Sequence, residues 1–168
     1  MKRRSESCFG LHFDFHASPE SAHLPLGTNL REEDIREICQ LLKPDFLQID
    51  CKGHPGWTSY PSECGNAMPH FAKDTLELWR RVTREEGVAL YMHYSGVVDR
   101  RYCAEHPDQM CLDTDGNQVG GHEGGATRTC GKYADEVLIP QLCEVAGKYG
   151  VDGAKDIVDV VSDIVNKD

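Results

Sequence analysis

Three stretches of alternating apolar and polar residues, each followed by a helical pattern or its capping signals, restrict this chain to few folds. Residues 9–15 set Phe9, Leu11, Phe13 and Phe15 against Gly10, His12, Asp14 and His16, the period-two pattern of a strand. Asn29 then reads as an N-cap with Glu32 three residues on, and Ile35, Ile38, Cys39 and Leu42 form a helical stripe that Pro44 stops. Residues 46–52 give a second strand, with Phe46, Gln48, Asp50 and Lys52 on one face and Leu47, Ile49 and Cys51 on the other. A helix over residues 73–86 turns Leu76, Trp79 and Val82 to the core and ends at Gly87. Residues 88–94 are the third strand, with Ala89, Tyr91, His93 and Ser95 sharing a face. Strands separated by helices imply a parallel sheet with right-handed crossovers, so the fold class is α/β.

In such sheets ligands bind at the carboxyl ends of the strands, where the loops converge. The second strand delivers Lys52 and His54 there, followed within one loop by Trp57 and Tyr60. Donors, a titratable ring and flat apolar platforms together suit a polyhydroxylated ligand such as a sugar. The same residues also fit a plain turn built by Gly53, Pro55 and Gly56, with Trp57 filling a gap.

The 168 residues suffice for a single domain, 1–168, with a real core. A net charge of -10 argues against nucleic acid and anionic membranes as partners. Lys2-Arg3-Arg4 is followed by polar residues, so no signal peptide or membrane span is expected and the expected location is cytoplasmic. The eight cysteines include no Cys-x-x-Cys pair, which speaks for reduced thiols over a structural zinc module. Among them, Cys39 and Cys143 fall at apolar helix positions. Residues 96–131 show little periodicity and read as a long loop; His122-Glu123 within it reads as solvated. Residues 133–149 form a further helix kinked at Pro140, and residues 154–168 an amphipathic C-terminal helix.

The run Lys52-Gly53-His54-Pro55-Gly56-Trp57-Thr58-Ser59-Tyr60-Pro61, with Gly87-Val88-Ala89-Leu90-Tyr91-Met92-His93-Tyr94-Ser95-Gly96 and His106-Pro107-Asp108, resembles glycoside hydrolases related to α-L-fucosidases. The resemblance covers residues 8–153 and leaves 154–168 as a divergent tail. It implies the amino-terminal part of a (β/α)8 barrel, three to four βα units, where a whole barrel takes about 250 residues. It also implies a carbohydrate ligand held by His12, His16, Lys52, His54, His93 and Tyr94, to which the loop reading adds Trp57 and Tyr60; no cofactor is expected. In similar proteins a fourth strand opens on Asp-Gly and carries the nucleophilic Asp a few residues later. Here Asp152-Gly153 leads to Ile157 at that place, with Asp156 one position off, so the nucleophile is not carried over. The general acid has no counterpart. A retaining mechanism needs two carboxyl groups about 5 Å apart, so the chain is expected to bind sugar without hydrolysing it.

Two rivals differ in chemistry. His12-Phe13-Asp14-Phe15-His16 resembles the metal-binding strand of amidohydrolases, so His12, Asp14 and His16 would hold a metal, completed by His93 with Lys52 or Asp50 nearby. Alternatively the chain is a non-catalytic, truncated half-barrel whose exposed surface pairs two copies in a homodimer.

Overall fold

The computed structural model describes residues 4–119 and 125–155. The expected C-terminal helix beyond residue 155, Asp156, Ile157 and the His122-Glu123 pair lie outside the described residues. Strand β1 (Gly10–Phe13), helix α1 (Glu32–Leu42), β2 (Phe46–Lys52), α2 (Thr75–Glu85) and β3 (Ala89–Tyr94) follow one another. Helix α3 (Arg100–Glu105), helix α4 (Ile139–Glu144) and strand β4 (Gly153–Lys155) complete the order. The four strands form one parallel sheet in the order β1-β2-β3-β4. This is a partial barrel-like sheet, and its parallel pairing forces each connection across the helical layer.

Strand alternation sorts the side chains as the sequence predicts. Leu47, Ile49, Cys51, Leu90, Met92 and Tyr94 enter a core with Ile35, Cys39, Leu76, Trp79, Val82, Leu138 and Val145 from the helices. On the other face the Phe46 and Tyr91 rings meet edge to face, 5.2 Å apart. Any Cβ at Gly10 would strike Phe46, and any at Gly153 would strike Tyr91, so these two glycines make room for the rings.

Several elements depart from the sequence reading. Helix α1 starts at Glu32 with Arg31 as its N-cap, not Asn29, and no side chain caps it. Instead Arg36 ties its first turn to α2 through Glu32, Glu85 and Glu86 at 2.6–2.7 Å. Leu42, placed on the buried stripe, is 51% exposed because α1 ends there and Lys43 turns left-handed at φ 48°. Strand β1 stops at Phe13, so Asp14, Phe15 and His16 continue as irregular chain.

Residues 96–131 are not a bare loop: they contain α3, whose N-cap Asp99 accepts from Tyr102 N. The expected helix over residues 133–149 forms, but with π-helical turns Ala134–Leu138 and Val145–Tyr149 on either side of α4. The wide turn just before Pro140 accommodates its ring and missing N–H, and it shifts the phase of the helix. Cys143 consequently faces solvent although its spacing puts it on the apolar side. Ala154 and Lys155, read as the start of a helix, instead pair in β4 alongside Met92 and His93.

Candidate functional site

The carboxyl ends of β1, β2 and β3 bring six polar side chains together. Asp50, next to the end of β2, is fully buried, and its Oδ1 lies 2.8 Å from His93 Nδ1 on β3. An ionised carboxylate only accepts, so His93 donates from Nδ1 and Asp50 fixes the ring's orientation. His12 on β1 meets the His93 ring edge-on at 5.3 Å. His16 stacks toward His93 at 6.2 Å and tilts against His54 at 5.2 Å. His16 Nε2 comes within 3.2 Å of Asp14 Oδ1 without the alignment of a hydrogen bond, and it has no hydrogen-bond partner among the described residues.

Asp14, His16, Asp50 and His93 each offer one ligand atom, all within 4.8 Å of one another. His12, the third ligand read from the sequence, stands outside this group, while Asp50 and His93 belong to it. The reason is where β1 ends: beyond Phe13 the chain leaves the strand, so His12, Asp14 and His16 no longer point alike.

His54 and Trp57 occupy the loop after β2, both partly exposed. The Arg101 guanidinium lies 4.1 Å from the Trp57 ring centroid, a cation–π stack. Trp57 and Arg101 line an open groove of about 590 Å³ with Ser18, Pro55 and Arg100. The three other residues read as sugar contacts are placed differently. Tyr60 and Tyr94 are fully buried in the core on the helix side, and Tyr94 OH donates to Gln141 at 2.6 Å.

Lys52 follows an irregularity in the β2–β3 register between Asp50 and Lys52. Its ammonium is 2.8 Å from Asp99 Oδ2, also donates to Tyr133 OH, and sits over the Tyr94 and Tyr133 rings. Burial lowers the Lys52 pKa while Asp99 opposes the shift, and burial raises that of Tyr133. Sequence reasoning missed Asp99 and Tyr133 as partners of Lys52. The available signal was Asp99 ahead of Arg-Arg-Tyr, an N-cap pattern that would have located α3.

No protein-family model matches the sequence, and no curated protein matches it either. Solved structures do. The chain is similar to α-L-fucosidase isoenzyme 2 from Paenibacillus thiaminolyticus, with 26% identity over 87% of its length and a TM-score of 0.74. The fold is that of the α-L-fucosidases, in part. This chain spans only 22% of that fucosidase. It is also similar to Thermotoga maritima α-fucosidase, with 16% identity, TM-score 0.56, 75% of this chain and 28% of that one. A hypothetical protein from Ruminiclostridium thermocellum matches over 77% of this chain and 70% of its own, with 14% identity and TM-score 0.61. The fucosidase fold therefore extends over most of the chain. Among the described residues no helix is long and apolar enough to cross a membrane.

Proposed function

We propose that this chain binds a fucose-type sugar at the strand tips through His12, His16, His54 and His93, with Trp57 as an apolar platform. The observation that carries this reading is the gathering of four imidazoles from β1, β3 and the loops after β1 and β2 in a fucosidase-like fold. Imidazoles exchange hydrogen bonds with hydroxyls in both directions, and an adjacent indole face covers the apolar side of a sugar ring. Lys52 serves this wall indirectly, by anchoring α3 and with it Arg101 over Trp57.

The described residues act as a binding wall and not as a hydrolytic pair. Asp14 and Asp50 come close to each other, but Asp50 is fully buried and engaged by His93, so it is not presented to a sugar carbon. Retaining hydrolysis needs both carboxyl groups flanking the scissile bond at about 5 Å.

Isothermal titration with L-fucose and with 4-nitrophenyl α-L-fucoside tests the proposal. The expected result is saturable binding without nitrophenol release, weakened in His54→Ala and His93→Ala while circular dichroism is unchanged. Binding that is absent, or unaffected by both substitutions, would reject it.

A further inference from the structure

We propose that Asp14, His16, Asp50 and His93 bind a divalent transition-metal ion of the zinc class. The inference does not rest on carbohydrate binding. One ligand atom from each residue lies within 4.8 Å of the others, and the residues come from three adjacent strand ends. Around a single zinc, ligand atoms about 2.0–2.2 Å from the metal sit roughly 3.4 Å from one another. The widest pair therefore needs to close by on the order of 1 Å, a movement Asp14 can supply, since it is exposed and lies beyond the end of β1.

A second, independent feature separates this group from an ordinary polar cluster. Asp50 is 0% exposed, yet its Oδ2 has no hydrogen-bond partner among the described residues, and His16 Nε2 is likewise buried and unpartnered. A carboxylate oxygen and an imidazole nitrogen withdrawn from water without a partner are costly to hold, and both carry a lone pair. A cation between them satisfies both at once. Asp14 Oδ1 stands 3.2 Å from that same nitrogen, turned so that it does not bond to it, as two ligands of one ion would be.

The donor set indicates the kind of ion. Imidazole favours zinc and its neighbours over magnesium and calcium, and two carboxylates balance a divalent charge. Asp50 Oδ1 and His93 Nδ1 already stand 2.8 Å apart, side by side as two ligands of one ion are, and with the ion bound Nδ1 offers it a lone pair in place of the proton it gives Asp50.

The test uses the full chain, tag-free, stripped with EDTA, with its thiols alkylated so that its exposed cysteines cannot contribute. Zinc is titrated calorimetrically with no sugar present, and cobalt(II) is followed by its visible absorption. We expect about one ion per chain and a cobalt spectrum of nitrogen and oxygen ligands, with affinity reduced at least about tenfold in Asp50→Asn and in His16→Ala. Asp50→Asn keeps the shape and an acceptor for His93, so it separates loss of metal from loss of fold. No zinc uptake, or equal uptake by wild type and both variants, would overturn the proposal. Because sugar is absent from the measurement, either result leaves the fucose titration to stand or fall separately.

Discussion

Lys52 Nζ lies 2.8 Å from Asp99 Oδ2, and the two side chains are 0% and 2% exposed. Asp99 also accepts from Tyr102 N at 2.8 Å through its other oxygen and from Tyr133 OH at 3.1 Å. One carboxylate thus caps α3, pairs a buried ammonium at the tip of β2 and ties in the segment leading to α4.

Removing that carboxylate leaves the ammonium in a dry site. Asp99→Ala is therefore expected to lower stability by about 3–5 kcal/mol, read from urea denaturation. Lys52→Met should be milder, because Asp99 keeps two other donors. The pH dependence follows from the direction of the shift: burial holds the Lys52 pKa below its usual 10.5, and Asp99 partly offsets it. Without Asp99 the folded chain releases this proton before the unfolded chain does. Relative to wild type, the variant's deficit should be largest near neutrality, shrink as pH rises, and level off once Lys52 has also lost its proton in the folded wild type, which happens below 10.5. A pH-independent difference would place Lys52 elsewhere.

Asp152 clasps the start of β4 to its neighbours. Its Oδ2 accepts from Arg80 Nη1 at 2.6 Å and from Leu90 N at 2.9 Å, and its own N–H reaches Leu90 O at 2.8 Å. Arg80 is only 4% exposed, so Asp152→Ala takes a charged acceptor from a nearly buried guanidinium and from Leu90 N, at an expected cost of about 1–3 kcal/mol. Hydrogen exchange should accelerate at Leu90 and in β4 while β1 and β2 keep their protection. Uniform acceleration across the sheet would mean that Asp152 acts globally.

Thiol reactivity tests the core assignment. Cys8, Cys64, Cys130 and Cys143 are exposed, whereas Cys39, Cys51 and Cys103 are buried with thiol pKa values raised chiefly by that burial. A short pulse of N-ethylmaleimide followed by mass spectrometry should mark the exposed four, with Cys111 slower and the buried three protected until the chain unfolds. Labelling of Cys51 at the rate of Cys143 would contradict the placement of β2.

How much of this was legible depended on whether a residue's surroundings are local in sequence. The grouping of faces follows from period-two alternation: Leu47, Ile49 and Cys51 share the core face of β2 as their spacing groups them, and Leu90 and Met92 enter the core opposite the Ala89, Tyr91 and His93 face. The same alternation puts Tyr94 on the core face with Leu90, which conflicts with a strand-tip role read from its neighbourhood in the motif. Cys143 escaped because π turns change which residues share a helix face, and no residue type announces such a turn. The partners of Lys52 escaped for another reason: Asp99 and Tyr133 are 47 and 81 positions away. Asp50 and His93 could be named as candidate ligands because both sit near strand ends. That Asp50 would be buried with an unpartnered oxygen required the packed structure.

Gly53 decides where His16 can sit. A Cβ at this position would stand 2.4 Å from two His16 ring atoms, closer than any side chain tolerates. Gly53→Ala should push the ring away from His54 and from the Asp14, Asp50 and His93 group. Overpacking of this kind lowers stability by about 1–3 kcal/mol. Displacing one imidazole from the sugar wall should weaken fucose binding about three- to tenfold, the equivalent of one hydrogen bond. His16→Ala, which removes the ring and leaves Gly53 in place, should lose the same affinity with a smaller loss of stability. Measured together by calorimetry and urea denaturation, the two variants separate position from packing. If Gly53→Ala lowers stability but leaves fucose affinity at the wild-type value, His16 does not belong to the binding wall.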